Sequence, residues 1–248
     1  EILLTIANVN GDIVKQVKGK TGKGIHRVNW NLGLSSKNVV RLQAPSGGGR
    51  GFGGGGAKAI PGKYTVTLSK IVDGMKTDLS EPMPFEIVPL MKPHLPGAPF
   101  EEITAFKNKF DTFQKDMSLS NIELSDAKKL LVAMKRAIAN ADRQPADLIA
   151  KLHSAQNQLT DLDIVLNGNK VKGEIGERVA LTPGDGSFVG FVAQGATHGP
   201  TGNHKAALQR AIDQLAGIKV MLTQYTSTVL PELKTMMSGI GAPPIEGQ

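Results

Sequence analysis

The chain predicts a multidomain α and β protein: an immunoglobulin-like antiparallel β-sandwich over residues 1–90, then a three-helix antiparallel bundle over 100–241. Three observations predict it. Apolar residues alternate with a period of two before residue 90. They recur in steps of three and four after residue 100. Between the two lies "PLMKPHLPGAPF" (89–100), whose four prolines neither continue a central strand nor enter a helix early, so 91–99 reads as a stiff linker.

The strands come in order. Ile2, Leu4 and Ile6 alternate with Leu3, Thr5 and Ala7, and "NVNGD" (8–12) then signals a turn. "IVKQV" (13–17) gives a short second strand. Val28, Trp30 and Leu32 fall on one face of a third. Tyr64, Val66 and Leu68 share a face opposite Thr65, Thr67 and Ser69, and Asp73-Gly74 marks a tight hairpin turn. "MPFEIVPL" (83–90) closes the set, its prolines suited to an edge or strand end. Short strands between turn signals, over about ninety residues, fit one immunoglobulin-like unit. Residues 45–59 form a glycine-rich connection inside it. Loop closure adds only about 0.6 kcal/mol per doubling of length, so a long insert is tolerated there, and weak order is expected over 46–57.

The helices follow. Ile103, Phe106, Phe110, Phe113, Met117, Ser120, Leu124, Ala127, Leu131, Met134, Ile138 and Ala141 keep one phase, which predicts a single helix roughly 60 Å long. Ser120-x-x-Glu123 has the form of a capping box, but a new helix start would shift the phase. Leu148, Leu152, Ala155, Leu159, Leu162 and Leu166 make a second stripe that Gly168 stops. Leu208, Ala211, Leu215, Ile218, Leu222, Tyr225 and Val229 make a third, which Pro231 kinks or ends. Residues 168–202 show no helical stripe and read as a long loop, pinned to the bundle by Phe188, Val189 and Phe191. Residues 242–248 are a tail.

Composition narrows the function. The 248 residues carry a net charge of +7, with 12 Lys/Arg against 6 Asp/Glu in residues 1–90. The excess is scattered lysine, and aromatics make up only 4% of the chain, so the clustered basic and aromatic footprint of a nucleic-acid surface is missing. No apolar run is long enough to span a bilayer. There is no cysteine, hence no disulfide and no thiolate chemistry. The start, "EILLTIANVNGD", lacks a basic n-region and enters alternation directly, as a fragment or a processed piece of something longer would.

The chemical motifs dissolve in context. Gly51–Gly56 satisfies G-x-G-x-x-G, but a strand follows instead of the helix that would meet a pyrophosphate, and eight of the ten residues from Gly47 to Gly56 are glycine. Gly19-Lys20-Thr21 has Val14 where a phosphate loop needs glycine. His198 and His204 share one glycine-rich stretch without a carboxylate between them, and His153 reads as a boundary residue of its helix. Asp161 and Asp163 lie about 200° apart on a helix and cannot pair as acid and base. Trp30 reads as core rather than as a sugar platform. No catalytic, metal-binding or cofactor-binding residue is assigned. The candidate contact residues are Arg50 and Phe52 at the glycine loop, with Phe188, Phe191 and His198 in the 168–202 segment.

Three stretches carry a resemblance. "GKGIHRVNWNL" (22–32) followed by "PGKYTVTL" (61–68) resembles the immunoglobulin-like unit found after β-propellers in exported bacterial proteins described as sortilin-like or BNR-repeat glycosyl hydrolase-like. "GPTGNHKAALQRAIDQL" (199–215) resembles the start of that family's last helix, and "LPELKTMMSGIGAPPIEG" (230–247) its closing segment, with Pro244 where an aromatic is usual. The resemblance implies an upstream propeller in the full protein. It also implies an extracellular, cell-surface or periplasmic location in a Gram-negative bacterium. The chain itself would be a non-catalytic module that supports the propeller and docks partners, among them other cell-surface or secretion-complex proteins. Any hydrolase activity would lie in the missing part. The alternative is a carbohydrate-binding sandwich accessory to a glycoside hydrolase.

Overall fold

The computed structural model describes residues 1–36, 39–40, 58–90, 96–177, 179–195 and 198–246. It shows an antiparallel sheet and a set of helices, in two compact units. One comprises Glu1–Phe110 with Gly190–Thr201, the other Asp111–Val189 with Gly202–Gln248.

The first unit holds five strands: β1 (Ile2–Asn8), β2 (Ile13–Gly19), β3 (Gly62–Val72), β4 (Met75–Asp78) and β5 (Met83–Ile87). All pairings are antiparallel, in the order β2-β1-β3-β4, with β5 also on β3. The long β3 serves two partners on one edge: Ser69–Val72 pairs with β4 and Gly62–Val66 with β5. Asp73 (φ 50°) and Gly74 (φ 79°) are both left-handed, the requirement of the two-residue turn whose twist matches the β3–β4 hairpin. A bulge in β2 between the partners of Ile6 and Ala7 brings Val14 as well as Val17 onto the apolar face. That face carries Ile6, Tyr64, Val66, Phe85 and Ile87.

The strand expected at Val28–Leu32 does not form. Leu32 sits at φ 61°, the Asn31 side chain accepts the Gly33 N–H at 2.9 Å, and Trp30 Nε1 donates to the Gly33 carbonyl at 2.8 Å. This local turn offers the backbone partners that a ladder would otherwise supply. The segment makes an isolated bridge, Gly33 to Lys58, and reaches the sheet where the Ser35 N–H donates to the Val14 carbonyl of β2 at 2.9 Å. Trp30 and Leu34 still pack on the apolar face, partly buried. Trp30 meets Tyr64 and Phe85 edge-on at 6.3 Å, and Tyr64 stacks on Phe85 at 5.8 Å.

The helices are α1 (Phe100–Ala139), α2 (Ala146–Asn167), α3 (Lys170–Glu174), α4 (Gly190–Gly195), α5 (Gly202–Gln224) and α6 (Leu230–Ser238). No described helix is long and apolar enough to cross a membrane. The helix α1 is continuous, as its unbroken stripe predicts. Ser120 is buried in mid-helix rather than capping a new one. In the second unit, α1 reaches α2 through Lys128–Asp163 (2.6 Å) and Lys135–Gln156. It reaches α5 through Asp116–Lys219 (2.9 Å). Phe113, Met134, Leu159, Leu208, Ile218 and Leu222 on these three helices are all fully buried. Each contributes roughly 1.5–3 kcal/mol by leaving water.

Two helical expectations need correction. The α5 stripe runs through Leu222 and Tyr225 as read, but the next buried residue is Leu230, not Val229. Residues Tyr225–Val229 form a π-helical turn, closed by the Leu230 N–H on the Tyr225 carbonyl, five residues back. Pro231 therefore does not end the helix, which continues as α6. Proline has no N–H and crowds the carbonyl four residues before it, and the wider turn makes room for the ring. The second correction concerns 168–202. This stretch contains α3, a 3₁₀ helix at Pro183–Val189 and α4, and its apolar anchors are Pro183, Val189, Val192 and Ala193.

Candidate functional site

Residues two apart on a helix point roughly opposite ways, and this arranges the second unit. On α2, Gln156 and Asp163 turn to α1, so Gln158, Asp161 and Val165 turn away from it. On α5, Lys219 turns to α1, and Met221 turns away. In the π turn Thr226 donates to Glu123 of α1 at 3.0 Å, and Gln224 and Thr228 turn away. The side of the α2–α5 pair facing away from α1 is a groove of about 400 Å³.

Leu162 and Val229 help form its floor, with Tyr225 between them. The Tyr225 hydroxyl donates to the Ala155 carbonyl at 3.0 Å, which fixes the ring. Burial pushes this phenol up to about 12, because the phenolate would be formed away from water. The rim is polar: Gln158, Asp161, Gln224 and Thr228. The Thr228 hydroxyl is committed to the Gln224 carbonyl at 2.6 Å. Asp161 is exposed and has no hydrogen-bonding or ion-pairing partner among the described residues. Its neighbour Asp163 differs. Burial would raise its carboxyl, but hydrogen bonds from Lys128 and Asn167 and the positive charge of Lys128 together hold it below the usual value.

Of the described residues singled out from the sequence, neither Phe188 nor His198 lines this groove. Arg50 and Phe52, with the order expected of 46–57, fall outside the described residues. Phe188, expected to help pin its segment, is 74% exposed, whereas Val189 beside it is fully buried. Phe191 lies on α4, its side chain outside the described part. His198 is exposed. Its Nδ1–H donates to the Gly199 carbonyl at 2.7 Å, and its own carbonyl accepts the Ala98 N–H at 3.0 Å. His153 is exposed beside Asn157. Among the described residues, no group of three His, Asp or Glu side chains is placed to hold a metal.

Sequence reading missed the groove because it needs α2 and α5 side by side. One signal was available: Pro231 follows Thr226-Ser227-Thr228, a hydroxyl run whose side chains bond back to Thr223 and Gln224 carbonyls. Such a run before a proline suits a helix that must widen.

The 168–202 segment presents a second surface. Val171 and Ile175 on and just after α3, and Leu181 and Phe188 further on, are all more than half exposed. The segment is held in place. Gln214 donates to the Leu181 carbonyl at 3.1 Å, and Gln114 to the Ser187 hydroxyl at 3.1 Å. Asp185 accepts both the N–H and the hydroxyl of Thr182. Gly186 is the tight point: a Cβ there would lie 2.4 Å from Ala211 Cβ and 3.1 Å from Phe113 Cζ.

Comparison with protein-family models, with curated proteins and with solved structures returns no match to this chain.

Proposed function

We propose that this chain is a non-catalytic structural and interaction module of a larger exported protein of the sortilin-like, BNR-repeat propeller type. In this reading the first region is an immunoglobulin-like sandwich whose second layer is the Trp30–Leu34 segment with Ala59. Their packing on the Ile6–Tyr64 cluster supports it. The second region is a three-helix antiparallel bundle of α1, α2 and α5, supported by the bonds from α1 to both other helices.

The observation that carries the functional reading is the anchored 168–202 segment. Gln214 holds its Leu181 carbonyl and Gln114 its Ser187 hydroxyl, and Val171, Ile175, Leu181 and Phe188 are all more than half exposed. A fixed segment that presents apolar side chains is suited to cover a partner surface. The partner assigned to it is the upstream propeller, with an extracellular, cell-surface or periplasmic setting in a Gram-negative bacterium.

The carbohydrate-binding alternative is disfavoured. Trp30, Tyr64 and Phe85 pack on one another, so their faces do not form an open platform.

The test has two arms. The coding sequence upstream of residue 1 is read for propeller repeats, and their absence sinks the proposal. If repeats are present, that region is expressed and titrated with this chain by calorimetry. Binding that falls at least about tenfold in Val171→Ser/Ile175→Ser supports the reading. Unchanged binding, or glycoside hydrolysis by the chain alone, overturns it.

A further inference from the structure

We propose that the α2–α5 groove is a binding site for a small amphipathic cation: an apolar body of about 10 Å ending in an ammonium group. The proposal is independent of the role assigned to the 168–202 segment, and it rests on three properties of the groove.

The first is size and shape. A volume of about 400 Å³ lies in the range of small-molecule sites. From Gln158 to Val165 the α2 wall runs about 11 Å at the helical rise. That accommodates a six- to eight-carbon chain or one aromatic ring with a short tether. It does not suit a docked helix, which would need an apolar stripe over several turns. One turn beyond the groove, α2 presents Ser154 and then Lys151, itself bound to Glu232. On α5 the stripe passes to Gly217 and Gln214. Nothing lies within 4 Å of a Cβ built at Gly217, so that end is open.

The second is charge. Asp161 is the one ionisable carboxylate among the lining residues, and no cation among the described residues pairs with it. Two other acids of the same unit, Asp163 on α2 and Asp116 on α1, each have their own lysine, Lys128 and Lys219. An ammonium at Asp161 would also lie beside the Gln158 side chain, whose amide oxygen accepts. An anion would meet the carboxylate unscreened.

The third is preorganisation. The Tyr225 ring is locked by its bond to Ala155, and the π turn places Gln224 and Thr228 on the same rim. Met221, 45% exposed, supplies an adaptable thioether against Val165, 48% exposed. The apolar body of the ligand would cover these two side chains and the Leu162 floor.

The experiment follows the methyl resonances of Leu162, Val165 and Met221 by ¹H–¹³C NMR in the whole chain. It titrates n-hexylammonium, hexanoate and 1-hexanol separately. The expected result is saturable shifts confined to these methyls for hexylammonium, with hexanoate giving none and hexanol binding more weakly. Asp161→Asn, at an exposed position, is expected to weaken hexylammonium about fivefold, the size of an exposed ion pair, and to leave hexanol unchanged. Val165→Trp fills the groove and is expected to abolish both. The proposal is overturned by shifts spread over the surface, by hexanoate binding as well as the amine, or by Asp161→Asn binding the amine as tightly as the parent. Circular dichroism of each variant confirms that the helices are intact.

Discussion

Tyr225 donates its phenolic proton to the main-chain carbonyl of Ala155, 3.0 Å away and 70 residues earlier in the chain. Both residues are buried. The bond joins α2 to the start of the π turn, and it holds the groove at its centre.

Removing it gives the first prediction. Tyr225→Phe is expected to cost about 1 kcal/mol, the net worth of one buried hydrogen bond, in urea unfolding. The phenol is raised from 10.0 to about 12 in the folded chain. Its contribution is therefore fully present below pH 10 and is lost as the pH rises towards 12, since the unfolded chain releases this proton first. The stability difference between parent and variant should shrink across that window. A constant difference from pH 9 to 12 would refute the assignment.

Asp163 gives the opposite limb. Its carboxyl lies below the usual 3.8 because Lys128 and Asn167 outweigh the effect of burial. Its contribution is present above that value and is lost as the pH falls through the folded-state pKa. Asp163→Asn should destabilise the chain by less than about 1 kcal/mol at pH 7, as befits a half-exposed pair. It should also flatten the acid side of the stability profile, measured by thermal melts from pH 2 to 7.

Gly186 is fixed by contact. Gly186→Ala puts a methyl group 2.4 Å from Ala211 Cβ, and overpacking of this kind costs about 1–3 kcal/mol. Ala211→Gly in the same chain should recover part of the loss. Additive losses in the double variant would show that the two methyls do not compete for one space.

The π turn predicts an asymmetry between deletions. Tyr225 and Leu230 are both buried five residues apart, one more than an α-turn allows. Deleting Thr228 together with Pro231→Ala should let the segment become α-helical with Leu230, Leu233 and Met237 still in phase, and the helical circular dichroism should persist. Deleting Val220 from the regular part of α5 turns Leu208–Ile218 by about 100° against Leu222 and beyond, and the melting temperature should collapse.

Trp30 is the single tryptophan and belongs to the first unit. Phe85→Ala removes a ring that meets it edge-on, and the emission should shift to the red with the 222 nm ellipticity unchanged. An unshifted emission would place Trp30 outside this cluster.

Much of the fold was legible in the sequence because helical phase and hairpin turns are local properties. The stripe from Phe106 to Ile138 has the same spacing whatever it packs on, so one uninterrupted helix could be read directly. Asp73-Gly74 carries its left-handed preference in its own backbone. The Trp30 segment was misread as a strand because alternation of Val28, Trp30 and Leu32 is also met by a chain that turns at Asn31-Leu32-Gly33 and drops Trp30 onto a neighbouring sheet.

The sequence by itself determined that this chain has a β region and a helical region, the length of α1 and the stop of α2 at Gly168. Only the tertiary structure decided that Leu230 rather than Val229 enters the core, that Val189 is buried where Phe188 is exposed, and that Asp161 faces a groove while Asp163 faces Lys128. In each case neighbouring residues have similar local preferences. The choice between them rests on which helix lies opposite, and that is set by packing between segments scores of residues apart.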